Sequence, residues 1–163
     1  MAEPFIRRAR PGEEAAIHEA HMRSIREVCI KDHGAEEIRG WGNRELGNRW
    51  IEDVKTGYVW VVEYQNTVRG VALLRIFEEA GEKMAYLNAL YLTPEVLRKG
   101  LGTQLAKLMI DKARELNAKA IKLESSITGH AFYKALGFVD TGPKAQVEIG
   151  GSPVSHFPMM LVF

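Results

Sequence analysis

Apolar residues recur at helical spacing near the start of the chain. They follow Pro11-Gly12, and Glu13 and Glu14 stand where the dipole of a helix favours carboxylates. The residues on this apolar stripe are Ile17, Ala20, Ile25, Val28 and Cys29. The pattern predicts a first helix.

A second helical region is predicted over Glu36 to Trp50, but its glycines interrupt it. The apolar residues at roughly helical spacing are Ile38, Trp41, Leu46 and Trp50. Gly40, Gly42 and Gly47 each weaken a helix by about 1 kcal/mol relative to Ala. We therefore expect a short or broken helix in this region.

The period then changes to that of β-strands. Tyr58 to Tyr64 and Val68 to Ile76 are rich in β-branched and aromatic residues, and Gln65-Asn66-Thr67 joins them as a hairpin turn. A third run, Met84 to Leu92, follows the polar connection Glu78 to Glu82. The middle of the chain is therefore predicted to be an antiparallel meander.

The second half of the chain combines a helix with a further strand. Thr93-Pro94 ends the third strand, and apolar residues recur at helical spacing from Leu105 to Leu116. Asn117 is tolerated in a left-handed C-cap, and Ala120 to Glu124 follows as a strand. Because a strand, a helix and a strand form a crossover, the two strands should be parallel neighbours. The stretch Glu95 to Leu105 then lies between the end of a strand and the start of a helix.

Composition restricts the class of protein. A chain of 163 residues, 46% of them hydrophobic, can bury one sizeable core, and no linker or fixed-period repeat divides it. Lys and Arg number 22 against 21 Asp and Glu, so no overall field would attract nucleic acid. Cys29 is the only cysteine, which excludes an internal disulfide and fits the cytoplasm. The start lacks a signal-peptide pattern and no apolar run could span a bilayer, so we expect no membrane partner.

Two glycines and two cations stand between the third strand and the helix that follows it. Gly100, Gly102 and Thr103 can present unpaired N–H groups at the helix start, where a phosphate can approach closely. Arg98 and Lys99 add positive charge beside them. A phosphate or pyrophosphate is the expected ligand, although Gly100 would also fit a simple tight turn. Neither the Walker spacing nor the dinucleotide spacing G-x-G-x-x-G is present.

The segment that contains this turn resembles the acetyl-CoA site of the GCN5-related N-acetyltransferases (GNAT). Leu87-Asn-Ala-Leu-Tyr-Leu-Thr-Pro-Glu95 is followed by Arg98-Lys-Gly-Leu-Gly102 and a helix. The family pattern is Gln or Arg, two residues, Gly, one residue, and Gly or Ala. Leu97 stands at its first position, so one family side chain is lost while the backbone donors are kept.

Two further segments resemble the same family, in the same order. Ala131-Phe-Tyr-Lys-Ala-Leu-Gly-Phe138 is similar to the pattern A-x-x-F-Y-x-x-x-G-F, with Gly129 in place of its alanine. Ile6 to Ile17 resembles the family's first strand and helix start. The resemblance implies an α/β (α+β) GNAT fold in a single N-acetyltransferase domain, residues 1–163. Its mixed central sheet would combine an antiparallel meander with a parallel, splayed strand pair at the cofactor site.

The resemblance also implies that an amine of a small molecule or peptide attacks acetyl-CoA, the cosubstrate, directly in a ternary complex and without a metal. The positions that would bind the cosubstrate are Leu90, Tyr91, Leu92, Arg98, Lys99, Gly100, Leu101, Gly102, Thr103 and Ser126. Ser126 stands where the family commonly has Asn. Tyr133 is implied as the acid that protonates the departing thiolate, and Asn88 and His156 as residues that meet the acceptor. The family also admits a homodimer.

The sequence leaves the general base and the acceptor open. The third strand has no carboxylate from Leu87 to Leu92, and the candidates elsewhere are Glu78, Glu79, Glu82, His21 and His156. By resemblance, Met22 to Trp50 and Gln146 to Phe157 would wall the acceptor pocket. Tyr133 could alternatively be a packed aromatic residue. Because Leu97 departs from the motif and the strand lacks a carboxylate, a non-catalytic acyl-CoA-binding module of the same fold is the alternative function. A phosphate-binding regulatory protein is a further one.

Overall fold

The computed structural model describes residues 2–163, so Met1, the first residue of the predicted domain, lies outside the described residues. The helices are α1 (Glu14–Glu27), α2 (Ala35–Trp41), α3 (Ile51–Thr56), α4 (Leu101–Glu115) and α5 (His130–Ala135). The strands are β1 (Phe5–Arg8), β2 (Val59–Tyr64), β3 (Thr67–Glu79), β4 (Glu82–Leu92), β5 (Ala120–Ser125), β6 (Val139–Asp140), β7 (Ala145–Ile149) and β8 (Ser152–Val162). Short 3₁₀ turns lie at Cys29–Lys31 and Pro94–Val96.

The strands form one mixed sheet in the order β1-β2-β3-β4-β5-β8-β6, and β7 also pairs with β8. β4 and β5 are parallel, whereas the other neighbouring strands are antiparallel. Strands β2, β3 and β4 are the predicted meander, and β4 with β5 is the predicted parallel pair. The predicted α/β fold class is therefore confirmed.

Helices cover both faces of the central strands. Successive side chains of a strand point to opposite faces. Val61 of β2 belongs to the same buried cluster as Ile17 of α1. Its neighbour Val62 belongs instead to the cluster that contains Leu105 and Met109 of α4. The continuous apolar run of β2 is therefore explained by burial on both sides.

Both turns of the meander contain two residues with positive φ. Gln65 and Asn66 have φ angles of 54° and 58°, and Ala80 and Gly81 have 52° and 80°. Such pairs suit two-residue hairpin turns, because their twist matches that of the flanking strands. The polar connection predicted over 78–82 is consequently shorter than expected, and both strands extend into it.

The glycine-rich region after the first helix is short and broken, as predicted. Helix α2 ends at Trp41, and residues 42–50 form turns before α3. Helix α3 was not predicted, because six residues are too few to show a helical period. None of the helices within residues 2–163 is long and apolar enough to cross a membrane.

The parallel strands β4 and β5 separate after a short ladder. Their paired residues are Ala85 with Ile121 and Tyr86 with Lys122. On its other edge, β4 carries a bulge at Asn88, because the register with β3 skips that residue. A bulge bends a strand and increases its local twist. The separation leaves one edge of β4 free beside the start of α4.

Candidate active site

A cavity of about 340 Å³ lies between the start of α4 and the separated ends of β4 and β5. We call it the α4 cavity. The predicted site residues that line it are Asn88, Leu90, Tyr91, Leu92, Arg98, Gly100, Leu101, Gly102, Thr103, Ser126 and Tyr133. Lys99 is exposed and does not line the α4 cavity, and His156 lines a different cavity. The structure thus brings together most of the residues that the sequence selected.

The turn before α4 presents backbone N–H groups to this cavity. Arg98 and Gly100 have φ angles of 59° and 78°, which places both in the left-handed region. The Gln104 N–H donates to the Gly100 carbonyl at 3.1 Å. The backbone N–H groups of the residues that precede Gln104 therefore have no carbonyl in the preceding turn of the helix to accept their hydrogen bonds. A Cβ atom on Gly102 would lie 3.6 Å from Leu92, an ordinary contact, so packing does not require this glycine. The turn has the donors of an anion site.

Ion pairs hold the segment that leads into this turn. The Glu95 carboxylate accepts hydrogen bonds from Arg23 of α1 at 2.8 Å and from Arg69 of β3 at 3.0 Å. The hydrogen bond from Arg23 is the main cause that lowers the pKa of Glu95 to about 2. The 3₁₀ turn Pro94–Val96 is therefore fixed to both the helix and the sheet.

Tyr133 lies at the inner wall of the α4 cavity and is 8% exposed. Its ring packs edge-on against Phe132 and Phe138, with centroids 5.1 and 5.6 Å apart. Burial, followed by the nearby Cys29 thiol, raises the pKa of Tyr133 above its usual value. Burial likewise raises the pKa of Cys29 to about 11. At neutral pH the phenol keeps its proton and the thiol is not a nucleophile.

The loop after β5 is held in place from α2. The Ile127 N–H donates to Nε2 of His33 at 3.0 Å, so Nδ1 of that ring has the proton and donates to Glu37 at 2.8 Å. The same Glu37 carboxylate accepts the Ser155 N–H of β8 at 2.8 Å. Within the loop, the Gly129 N–H donates to the Ser126 hydroxyl at 3.0 Å. This network fixes the wall opposite the turn.

A second cavity, of about 210 Å³, lies on the other side of the strand separation. We call it the α2 cavity, because α2, the turns after it, β4, β7 and β8 enclose it. His156 lines this cavity. The residues that line both cavities are Leu87, Asn88, Tyr91, Glu124 and Ser126. The two cavities therefore meet where β4 and β5 separate.

Glu124 is the carboxylate at this meeting point, and the sequence did not select it. It lies near the end of β5 and has an exposed side chain. Burial, followed by the charge of Glu124, raises the pKa of the neighbouring Tyr86 to about 12. A carboxylate at the carboxyl end of a parallel strand was the available signal, because ligands bind at such ends.

The other candidate bases differ from Glu124 in position or environment. Glu79 lies at the far end of β3 and pairs with Lys122 at 2.8 Å. Glu78 and Glu82 lie beside the same β3–β4 turn, and neither lines the α4 or the α2 cavity. His21 does line the α2 cavity, but burial lowers its pKa well below the usual value.

The model of the acetyltransferase (GNAT) family matches residues 18–138. The chain belongs to this family. An uncharacterized N-acetyltransferase of Escherichia coli (strain K12), YafP, is 25% identical over 154 residues, which cover 94% of this chain and 93% of the relative. The predicted family is therefore confirmed.

Solved GNAT structures share the fold. A GCN5-related N-acetyltransferase from Rhodopseudomonas palustris superposes with a TM-score of 0.80 at 18% identity, covering 100% of this chain and 98% of the other. The PaiA N-acetyltransferase from Thermoplasma acidophilum, solved in complex with coenzyme A, has a TM-score of 0.76 at 18% identity and covers 99% and 100%. At these identities the likeness concerns the fold, and the roles of the site residues remain predictions.

Proposed function

We propose that this protein transfers the acetyl group of acetyl-CoA to an amine by direct attack within a ternary complex. The observation that supports this most is the junction of the two cavities at the separated strands. Acetyl-CoA would occupy the α4 cavity and the amine the α2 cavity, so the reacting groups would meet beside Glu124 and Asn88. Membership of the GNAT family and the coenzyme A in one structural neighbour agree with this assignment.

The residues of the α4 cavity fit acetyl-CoA. The backbone N–H groups that precede Gln104 and the Arg98 side chain suit a pyrophosphate. Because Leu97 replaces the polar side chain of the family pattern, the backbone would make most of the contacts with the pyrophosphate. The free edge of β4 from Leu87 onward can pair with the amides of the pantetheine arm, as an added strand would. Backbone donors of Leu90 to Leu92 would then stabilise the negative charge that develops on the thioester oxygen.

The proposed reaction requires proton transfers at the amine and at the sulfur. An alkylammonium has a pKa of about 10.4, so the acceptor must lose a proton before it attacks. Glu124 accepts that proton, directly or through one water, and passes it to solvent. As the C–N bond forms and the C–S bond breaks, the Tyr133 phenol donates its proton to the sulfur, and the second proton of the amine nitrogen passes through water to the Tyr133 oxygen, which restores the phenol. The products are the acetylated amine and the free thiol of CoA.

The decisive experiment combines binding with turnover. Acetyl-CoA should raise the melting temperature of the protein, and incubation with acetyl-CoA and a panel of amines should release CoA thiol together with an acceptor heavier by one acetyl group. Tight acetyl-CoA binding with no thiol released for any amine would favour the non-catalytic acyl-CoA-binding module, which Leu97 motivates. Failure to bind acetyl-CoA would exclude both functions.

A further inference from the structure

Two arginines of the turns after α2 line the α2 cavity. Arg44 and Arg49 both lie between α2 and α3, and both are partly buried. The carbonyl of Arg44 is 2.8 Å from Nε2 of His18, and its Nε donates to the Trp41 carbonyl at 2.9 Å. Arg44 is therefore held in a defined position by its backbone carbonyl and its Nε.

Neither guanidinium has an acidic partner in the described part of the chain, since no carboxylate oxygen of residues 2–163 lies within 4.0 Å of either. The other partly buried arginines each pair with a carboxylate at 3.2 Å or less, and they are Arg7, Arg23, Arg26 and Arg69. Arg44 and Arg49 are thus exceptions among the partly buried arginines of this protein.

The two cations also act on each other. Burial, followed by the charge of Arg49, lowers the pKa of Arg44 to about 10. Glu124 lies on the β5 side of the same cavity, outside ion-pair distance of both arginines. Unpaired cations in a partly desolvated cavity are unfavourable unless a ligand supplies an anion. An arginine fork matches the two oxygens of a carboxylate, and such hydrogen bonds are among the strongest in proteins.

We propose that the acceptor is a free amino acid whose carboxylate is bound by Arg44 and Arg49 while its amine reaches Glu124. The cavity presents cations on its α2 side and a carboxylate on its β5 side, which complements a molecule that has both charges. A volume of about 210 Å³ is below the usual range of ligand pockets, about 300–1,000 Å³, and so favours an amino acid over a longer peptide. The inference rests on the proposed acetyl transfer and names its substrate class.

Matched acceptors test the carboxylate directly. Initial rates of CoA thiol release are measured with leucine, with leucinamide, which keeps the amine and loses the negative charge, and with the dipeptide glycyl-leucine. The kcat/KM for leucine should exceed that for leucinamide by about ten- to a hundredfold, the size of a charge-assisted hydrogen bond. Equal rates for leucine and leucinamide, or a preference for the dipeptide, would overturn the inference.

Variants assign the effect to the two arginines. Arg44→Gln and Arg49→Gln should each lower kcat/KM for leucine by about tenfold and leave the leucinamide rate and the KM for acetyl-CoA unchanged. Arg39→Gln is the matched control, because Arg39 is an exposed arginine of α2 outside this cavity. Arg49 has no ion-pair partner within residues 2–163, so Arg49→Gln breaks no ion pair of the fold and keeps the proposal testable if Arg44→Gln does not fold. Normal leucine turnover in Arg49→Gln would contradict the proposal.

A binding readout separates this inference from the proposed function. Leucine and leucinamide are titrated by calorimetry into the protein saturated with CoA. Leucine binding that is lost in Arg49→Gln, with no thiol released in any assay, would support the carboxylate site and contradict the acetyl transfer. Equal thiol release with leucine and leucinamide would support the acetyl transfer and contradict the carboxylate site. Tighter binding of phosphoethanolamine than of leucine would also contradict it, because the anion would then be a phosphate.

Discussion

Tyr86 and Lys122 form the last pair of the parallel ladder between β4 and β5. Beyond this pair, β5 remains paired with β8 as far as Ser125 with Phe157. On the other side, β4 remains paired with β3 as far as Leu92. Because each strand is held by its outer neighbour, the gap between them is built into the sheet. Both cavities of the candidate active site meet at this gap.

Tyr133→Phe should lower kcat by about a hundredfold at neutral pH and leave the Kd for acetyl-CoA unchanged, because the ring stays packed while its proton is lost. Steady-state rates and calorimetry with acetyl-CoA measure the two quantities. Tyr64→Phe is the control, since Tyr64 is a partly buried tyrosine that lines neither cavity. Unchanged turnover in Tyr133→Phe would remove this residue from the mechanism.

Glu124→Gln should also lower turnover by about a hundredfold at pH 7, because the amide cannot accept the proton of the acceptor. The loss should shrink as the pH approaches the pKa of the acceptor amine, because an increasing share of the acceptor is then already deprotonated in solution. A pH profile of kcat/KM from pH 6 to about 10 checks this expectation. Glu79→Gln, which alters a carboxylate that lines neither the α4 nor the α2 cavity, should behave as wild type. A defect in Glu124→Gln that does not change with pH would show that Glu124 is not the base.

Gly102→Glu should weaken acetyl-CoA binding by at least about tenfold, because it places a negative charge beside the N–H groups proposed to bind the pyrophosphate. Gly102→Ala is the matched control. Its Cβ would lie 3.6 Å from Leu92 and 3.8 Å from Phe132, both ordinary contacts, so the fold and the affinity should persist. Calorimetric titration gives both values of Kd. Equal affinities in the two variants would place the pyrophosphate elsewhere.

Glu95 should contribute stability that depends on pH. The Arg23 hydrogen bond lowers its folded pKa from 4.5 to about 2, so the ionised carboxylate stabilises the fold above pH 4.5. The contribution is lost progressively as the pH falls from about 4.5 through about 2. Since the side chain is 34% exposed, screening limits the effect to about 1 kcal/mol.

The difference in thermal midpoint between wild type and Glu95→Gln measures this contribution. It should be about 2–4 °C at pH 7, narrow as the pH falls below about 4.5 and vanish below about pH 2. Glu36→Gln, which alters an exposed carboxylate of α2, should show no such trend. A constant difference between wild type and Glu95→Gln at all pH values would contradict the role of the ion pair.

Local signals in the sequence determined the elements and the glycine turn. Helical periodicity predicted α1 and α4, alternation and β-branched residues predicted the meander, and Asn117, with φ 65°, ends the helix as expected. These features depend on residues within a few positions of each other. The motif around Gly100 and the Tyr133 segment could be recognised for the same reason, since each is contiguous.

Only the tertiary structure decided which distant residues share a cavity. Arg44 and Arg49 come from turns without regular structure, and Glu124 comes from a strand whose position depends on pairing with β8. No periodic pattern in the sequence links these segments. In the sheet β5 lies between β4 and β8, but the three strands are widely separated along the chain. The separation of β4 from β5 likewise follows from long-range pairing on their outer edges. The sequence by itself determined the family, the long helices and the meander, and it predicted the anion-binding turn, whereas long-range pairing decided where Glu124, Arg44 and Arg49 lie.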